Sequence, residues 1–313
     1  MANARLAYMS GPSAFKTPEG EAAFLAAYDA AMKLWPVPYE EMDIPTQFGM
    51  THVVVSGPKD APPLVPLHGY WATSTMRAPN TADFSQDYRV YAVDVMGQPS
   101  KSIPAEPIRN AADYAAWLTA TLDALQLDRV CLVGMSFGGW LALNYAVAAP
   151  ARLRRLVLLS PGGFLPMVRQ FSLRGILMVA VPTRFTVNSF MRWLGFTATN
   201  ARPVLELMYR GLQHFRVPPD TARIMPTMFS DDELRVMRVP TLLLIGDHEV
   251  ISAPATALAR AHRLIPHFEG ELVPHCRHDM CFSQYRIVDA LVLDFLKMNR
   301  TDDRGAITER SVA

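Results

Sequence analysis

The stretch from Arg129 to Pro150 constrains the fold of this chain more than any other part of the sequence. It opens with an apolar run, Val130 to Val133, of the kind found in strands that are buried on both faces. Residues 140–149 are rich in Ala and Leu and contain no Pro or Gly, which favours a helix that ends at Pro150. Little more than Gly-Met-Ser-Phe-Gly lies between the two, so the chain must turn sharply from strand to helix.

The serine in this turn is the first candidate for a functional residue. A junction this short strains the backbone at Ser136, and Gly134 and Gly138 lack the Cβ atoms that would hold strand and helix apart. Such a nucleophile elbow exposes the serine hydroxyl at a helix N-terminus. The pattern also arises by chance in about one chain in ten of this length, and a serine can simply cap a helix. The position between a strand and a helix favours the functional interpretation.

Composition narrows the class of protein. Of the 313 residues 50% are hydrophobic and 19% are charged, and the net charge of +1 argues against a general nucleic-acid or membrane-surface role. The three cysteines lack metal-ligand spacing, which indicates free thiols in a reducing compartment. No apolar signal segment opens the sequence, and the apolar run at 175–182 is too short to span a bilayer. We therefore expect a cytoplasmic protein with neither nucleic acid nor membrane as a partner.

Residue composition and the pattern of predicted strands and helices divide the chain into four parts. Residues 1–39 are predicted to form an N-terminal arm and a helix that begins at Thr17-Pro18. Strand and helix patterns alternate through 40–162 and again through 239–299, which predicts one α/β core. Between them, residues 163–238 are rich in methionine and aromatic residues and broken by prolines, which predicts an inserted cap of short helices. Residues 300–313 form a polar tail.

Polar motifs follow the apolar runs of the core in a fixed order. They are His68-Gly69, Asp94-x-x-Gly97, Gly134-x-Ser136-x-Gly138, Gly246-Asp247-His248-Glu249 and His278. Over residues 40–298 the chain resembles the α/β-hydrolase-fold serine hydrolases, and carboxylesterases in particular, whose nucleophile, acid and histidine follow one another in this order. The resemblance implies an α/β fold with a mostly parallel central sheet, flanked by helices and carrying the inserted cap.

The resemblance also assigns a catalytic triad. Ser136 corresponds to the nucleophile, and His278 fits the register of the base, although Arg277 stands where the family usually has glycine. His275 is the alternative base. The family's acid usually lies three residues after the strand-end glycine, which selects Glu249, with Asp247 as the alternative acid.

Further site residues are implied by the same comparison. The oxyanion hole is expected to consist of the backbone N–H groups of Tyr70 and Phe137. Trp71 and Met135, which neighbour these residues, are expected to line the substrate pocket. His68 is expected to orient its loop rather than to take part in chemistry. Neither a metal nor an organic cofactor is implied, since there is no clustered ligand set and no dinucleotide fingerprint.

The function implied is hydrolysis of a small-molecule carboxylic ester through an acyl-enzyme intermediate. A nucleophilic serine also leaves lactonase, thioesterase and carbon–carbon bond hydrolase activities open. The fold hosts non-catalytic members as well, so a ligand-binding protein is an alternative of another class. The sequence leaves the oligomeric state open.

The charge of the cap raises a further hypothesis. Between Gly163 and Ser230 there are eight arginines, no lysine, and only Glu206 and Asp220 as acids. One inward-facing arginine could clamp the carboxylate of an anionic ester. The simpler interpretation, which we favour, is that these arginines lie on solvated helix faces in an arginine-rich chain.

Overall fold

The computed structural model of the chain describes residues 13–197, 199 and 201–297. Its strands are β1 (Tyr39–Thr46), β2 (Gly49–Ser56), β3 (Pro63–Leu67), β4 (Arg89–Val93), β5 (Ile103–Pro104), β6 (Val130–Met135), β7 (Leu153–Leu159), β8 (Thr241–Gly246) and β9 (Phe268–Val273). Its α-helices are α1 (Pro18–Met32), α2 (Ala78–Asp87), α3 (Ala111–Ala124), α4 (Phe137–Ala148), α5 (Arg169–Ala180), α6 (Arg184–Trp193), α7 (Arg202–His214), α8 (Pro219–Ala222), α9 (Asp231–Arg235), α10 (Pro254–Leu264), α11 (Met280–Ser283) and α12 (Tyr285–Lys297). Within these residues no helix is long and apolar enough to cross a membrane.

One sheet organises the described part of the chain. The strands lie in the order β1-β2-β4-β3-β6-β7-β8-β9, and β5 pairs with β2. The pairs from β4 through β9 are parallel, whereas β2 runs antiparallel to both β1 and β4. The predicted mostly parallel sheet flanked by helices is confirmed. Because parallel strands end at the same edge, the loops after β3, β6, β7, β8 and β9 meet there.

The burial of the central strand, β6, explains why the turn at Ser136 could be recognised from the sequence. Every residue of β6 is buried, since it pairs with β3 on one side and β7 on the other while helices cover both faces of the sheet. Helix α4, which follows it, is almost wholly buried as well, from Phe137 to Ala146 with the exception of Asn144. A buried helix shows an unbroken apolar sequence rather than an amphipathic one.

Two helical regions differ from the sequence-based prediction. Helix α2 was not predicted, because its buried face carries polar residues, Asn80, Thr81 and Ser85, which hide the apolar periodicity. The sequence from about Phe282 to Met298 favours one final helix, whereas the structure has two in this region, α11 and α12, separated at Gln284.

The segment from 163 to 238, here called the cap segment, contributes helices α5 to α9 and, within the described residues, no strand of the sheet. The N-terminal part of the chain packs on it. Phe15 is buried and pairs with Phe215, and the Lys16 N–H donates to the carbonyl of His214 at 2.7 Å. Residues 13–16 are therefore not the loose arm that was expected. Residues 1–12 of that arm and the tail at 300–313 lie outside the described residues.

A buried polar cluster joins α2 to α12. The Asn80 amide donates to Asp289 Oδ1 at 2.7 Å, and the second oxygen of this 1%-exposed carboxyl has no partner within the described residues. Burial raises the pKa of Asp289 to about 7. Arg77, also buried, donates to the carbonyl of Leu67 at the end of β3, and its charge lowers the pKa of Asp289 by less than burial raises it.

Asp289→Asn should change how stability depends on pH. Between the ordinary aspartate pKa and the folded value of about 7 the native state holds a proton that the unfolded state has lost, so stability falls as pH rises through this window. The shift corresponds to a few kcal/mol, at about 1.4 kcal/mol per pKa unit. The variant cannot ionise and should gain on the wild type steadily up to about pH 7. Urea unfolding at several pH values measures this, with the exposed Asp294→Asn as control; parallel curves for Asp289→Asn and the wild type would contradict it.

Candidate active site

Ser136 occupies a strained turn that three hydrogen bonds hold in place. Its φ is 54° and its ψ −113°, a region that residues with a side chain rarely adopt. Its N–H donates to the carbonyl of Leu159 at 3.0 Å, and its carbonyl accepts from the amides of Trp140 at 3.0 Å and Gly162 at 3.1 Å. Strands β6 and β7 and helix α4 thus share in fixing the serine at the sheet edge.

The two flanking glycines are required by close packing. A Cβ atom on Gly134 would lie 2.3 Å from the carbonyl oxygen of Gly138. A Cβ atom on Gly138 would lie 2.6 Å from the carbonyl oxygens of both Leu67 and His68. Any side chain at either position would push α4 away from the end of β3. The glycine spacing therefore keeps Ser136 next to the loop that follows β3.

That loop brings a second backbone amide to the serine. A Cβ atom added to Gly69 would lie 3.8 Å from the Cβ of Ser136. The next residue is Tyr70, whose ring packs against Phe137 with centroids 5.1 Å apart. Within the described residues neither the Tyr70 nor the Phe137 amide donates a hydrogen bond. Two unpaired N–H groups on either side of a nucleophile are the donor set that an oxyanion hole needs.

His68 holds this loop rather than facing the site. Its side chain is fully buried, the Val95 amide donates to its Nε2 at 2.9 Å, and its Nδ1 donates to the carbonyl of Gly69 at 2.8 Å. Burial lowers the pKa of His68, so the ring is neutral. The Trp71 N–H donates a hydrogen bond to Gln98 Oε1 at 3.1 Å. The turn that follows β4 is therefore a support for the loop carrying Tyr70.

A buried, hydrogen-bonded pair of side chains joins the loops after β8 and β9. His278 Nδ1 lies 2.8 Å from Glu249 Oε2, and the two side chains are 5% and 2% exposed. The other carboxylate oxygen accepts from the amides of Val250 at 2.8 Å and Ile251 at 3.0 Å. Burial alone would raise the pKa of Glu249, but the charge and hydrogen bond of His278 and the Ile251 amide outweigh it and bring it to about 2. Glu249 is therefore ionised at any pH near neutrality.

The two alternative residues face elsewhere. Asp247 binds His248 Nδ1 at 2.7 Å and accepts from the Cys276 amide at 3.3 Å, so it braces the loop against the histidine segment. His275 is exposed and has a φ of 56°. The structure thus brings Glu249, and not Asp247, to the ring of His278.

Ser136 and His278 line the same cavity. Within the described residues no hydrogen bond joins the serine hydroxyl to the ring. Glu249 occupies Nδ1, which leaves Nε2 as the ring atom that can take the serine proton. Such bonds are often long in a protein without substrate and tighten when one binds.

The cavity is polar around Ser136, His278 and Glu249 and apolar elsewhere. Its polar lining is Ser136, Ser160, Ser252, Glu249 and His278. Its apolar lining includes Phe164, Met167, Phe171, Met225, Ile245 and Ile251. Four of these six residues lie in the cap segment, so the cap closes the cavity with large apolar side chains.

Trp71 and Met135 do not line this cavity, contrary to the sequence-based prediction. Side chains alternate along a strand, and Met135, at the last position of β6, is buried in the core with Met76 and Met280. Trp71 is 8% exposed and packs in the same cluster. The prediction used nearness in sequence to the proposed oxyanion donors, which does not fix the direction of a side chain. Met135 alternates away from the site along its strand, and Trp71, at a φ of 58° in the loop after β3, packs in the core.

The arginine clamp is also wrong. Of the described residues that line the cavity none is an arginine or a lysine. Arg184 and Arg210 both contact Glu206, and Arg174 lies over the ring of Trp193 at 5.4 Å. These guanidinium groups are held on the surface of the cap segment, so they cannot bind the carboxylate of a substrate next to Ser136.

Ser160 was not found by sequence reasoning. It follows β7 directly and has a φ of 41°, and its buried hydroxyl lies near Glu249, whose pKa it helps to lower. The available signal was positional, because every other parallel strand of the core ends in a site residue. Sequence alone could not show that this serine faces the cavity.

Core and cap are pinned where the cap segment begins and ends. Arg260 of α10 donates to the carbonyls of Phe164 and Phe229, both at 2.7 Å, and to Asp231 at 2.8 Å. The Phe229 amide in turn donates to the carbonyl of Gly163 at 3.0 Å. The cavity wall at Phe164 is therefore fixed to the core.

A family model and several known proteins match most of this chain. A family model described as the alpha/beta hydrolase family matches residues 64–290. The Bacillus subtilis protein named uncharacterized carboxylesterase nap is 37% identical over 277 residues, which are 87% of this chain and 91% of that protein. Carboxylesterase YbfK of the same organism is 33% identical over 292 residues, 90% of this chain and 96% of that protein.

A solved structure extends the likeness to three dimensions. Naproxen esterase (carboxylesterase NP) from Bacillus subtilis has a TM-score of 0.85 at 34% identity, with 90% of this chain and 100% of that chain covered. A further relative, 2-hydroxy-6-oxo-2,4-heptadienoate hydrolase of Pseudomonas putida, is 30% identical and covers 75% of this chain and 88% of that protein. The architecture is thus shared almost end to end with proteins named as carboxylesterases.

Proposed function

This chain belongs to the alpha/beta hydrolase family, and we propose that it hydrolyses a carboxylic ester through an acyl-enzyme intermediate on Ser136. The observation that carries the proposal is that the serine and the buried His278–Glu249 pair line one cavity with apolar walls. Relatives similar over most of the chain are named carboxylesterases, which supports the same reaction class.

In the first step the Ser136 hydroxyl attacks the ester carbonyl carbon while His278 Nε2 takes the hydroxyl proton. The carbonyl oxygen becomes an oxyanion and accepts hydrogen bonds from the amides of Phe137 and Tyr70. Each such donor stabilises the transition state by roughly 3–4 kcal/mol. The intermediate then expels the alcohol oxygen, which takes the proton back from His278.

In the second step a water molecule replaces the alcohol. His278 removes a proton from the water as its oxygen attacks the acyl carbon, and the same proton then goes to Ser136 when the acid leaves. Glu249 stays ionised throughout and stabilises the positive ring of His278 in both steps. The serine, the histidine and the glutamate each end in the state in which they began.

The apolar lining predicts a preference for uncharged esters. A half-ester of a dicarboxylic acid would bring its carboxylate out of water into a cavity whose described lining includes the Glu249 carboxylate and neither arginine nor lysine. We expect the neutral diester of the same acid to have a kcat/KM higher by at least ~10-fold. Steady-state kinetics on the two compounds measure this ratio at low and high salt. A half-ester hydrolysed as well as the diester would show that a cation reaches the bound substrate.

The reaction class is tested by covalent labelling and by a substrate panel. A fluorophosphonate probe should label the wild-type protein at Ser136, and esters of short acids should be hydrolysed faster than matched lactones and thioesters. A protein that only binds ligands would show neither labelling nor turnover. That outcome would contradict the proposal, as would labelling at another serine.

A further inference from the structure

Helix α5 has two apolar faces. The inner face carries Phe171, which lines the cavity, and Met178, which is buried. The opposite face carries Leu173, Ile176 and Leu177. Their i, i+3, i+4 spacing is that of the apolar side of an amphipathic helix, which is normally buried. These three side chains are 65%, 66% and 55% exposed.

The exposed apolar surface continues beyond the helix. Val181 follows α5 and is half-exposed, and Phe185, in the first turn of α6, is 81% exposed. Single exposed apolar residues are common on proteins, whereas a run of large ones along one segment marks an interaction surface. We call Leu173, Ile176, Leu177, Val181 and Phe185 the outer face.

The charges in the stretch of sequence that carries the outer face are all positive, and the acid that pairs with Arg184, Glu206, comes from α7. From Gly163 to Ala201 the sequence has four arginines and neither lysine, aspartate nor glutamate. Arg169 and Arg174 lie on α5 itself, both exposed and without an acidic partner among the described residues. A helix with a large apolar side bordered by cations is the composition that binds at the boundary between lipid headgroups and acyl chains.

Charge decides between two possible occupants. A second copy of the chain, related by a two-fold axis, would bring Arg169 and Arg174 of one copy against those of the other, and neither arginine has an acidic partner among the described residues. Anionic headgroups would pair with these arginines while the apolar side chains enter the acyl region. We propose that the outer face of α5 docks the protein on the surface of an anionic lipid bilayer.

The net charge of +1 gives no indication of this surface, because it averages a basic cap segment with an acidic remainder. The docking rests on the outer face alone and does not require the proposed reaction. It would nevertheless place a wall of the cavity against lipid, since Phe171 lies on the inner face of the same helix. The N–H of Val168, at the start of α5, also donates to the carbonyl of Ile251, which lies two residues after Glu249.

The test is co-sedimentation of the full chain with vesicles. Vesicles of phosphatidylcholine alone should bind it weakly, and vesicles that also contain phosphatidylglycerol should bind it strongly and less so as salt rises. The variant I176E/L177E should lower the partition coefficient by at least ~10-fold, and R169Q/R174Q by roughly 30-fold. V236E alters an exposed valine after α9, which packs on the core helix α10, and should bind like the wild type.

Three results would overturn the proposal. The first is a wild-type protein that does not sediment with anionic vesicles, and the second is unchanged binding by I176E/L177E and R169Q/R174Q. The third is a wild-type dimer in sedimentation velocity that I176E/L177E converts to a monomer without any vesicle binding, which would make the outer face a self-association surface. Ser136→Ala should bind vesicles like the wild type, so failure of the proposed reaction is separate. Circular dichroism and hydrolysis of a short water-soluble ester show that each outer-face variant is folded.

Discussion

Ser136→Ala is expected to lower kcat for ester hydrolysis by about a million-fold. The serine oxygen forms the bond to the acyl carbon, and none of the other hydroxyl groups in the cavity lies at the strained turn between β6 and α4. The fold should persist, because alanine keeps the backbone bonds to Leu159, Trp140 and Gly162. Single-turnover kinetics and the loss of fluorophosphonate labelling measure the effect.

Ser160→Ala is the matched control for that experiment. It removes a second hydroxyl from the same cavity, one whose contribution to the low pKa of Glu249 is smaller than that of His278. We expect it to cost less than about tenfold in kcat. Activity of Ser136→Ala above about one per cent of the wild type, or a loss with Ser160→Ala as large as that with Ser136→Ala, would be inconsistent with Ser136 as the nucleophile.

Glu249→Gln should have the second largest effect, lowering kcat by about a thousand-fold or more. Its carboxylate accepts the Nδ1 hydrogen of His278 at 2.8 Å and balances the charge that the ring acquires. A glutamine can turn an N–H toward Nδ1 and so favour the tautomer whose Nε2 cannot accept a proton. Stopped assays with high enzyme concentration can measure the residual rate.

Asp247→Asn is the comparison variant, and its loss should be smaller by a factor of roughly ten to a thousand. Asp247 binds His248 and the Cys276 amide, and an asparagine oxygen can keep the second of these bonds. Should Asp247→Asn be the more damaging change, the assignment of the acid would be wrong.

The low pKa of Glu249 determines the pH range in which its pairing with His278 is lost. Because it is depressed to about 2, the stability that the ion pair contributes is present above the ordinary glutamate pKa and is lost as pH falls from there toward 2. A fall in activity at mildly acidic pH therefore has another origin than protonation of Glu249. Pre-incubation at low pH followed by assay at neutral pH separates unfolding from reversible titration.

The candidate catalytic residues could be selected from sequence because they lie at strand ends. Strands of a parallel sheet are buried runs that stand out in the sequence, and the residues after them meet at one edge. This is why the register that selects Glu249 over Asp247 could be counted from Gly246. It is also why the elbow could be located from the residues on either side of Ser136.

The pocket could not be predicted in the same way. Which side chains of the cap segment turn toward Ser136 depends on how its helices pack, and their apolar residues face both inward, as Phe171 does, and outward, as Leu173 does. The arginine clamp was predicted wrongly for the same reason, because the number of arginines in the cap segment does not show which way each side chain points. Helix α2 was missed because buried Asn80 and Thr81 form polar contacts that imitate an exposed face.

The packing of α1 on the cap has a consequence for synthesis on the ribosome. Phe24 and Tyr28 are fully buried in a cluster that is completed only by Leu207 and Phe215, from a part of the chain made long after α1 has emerged. At ordinary rates of translation that delay is roughly ten to thirty seconds. During this interval the first helix presents aromatic side chains that nothing in the nascent chain fully covers. Slowing translation before the cap codons would therefore lengthen the time in which a newborn chain can aggregate or be captured by a chaperone.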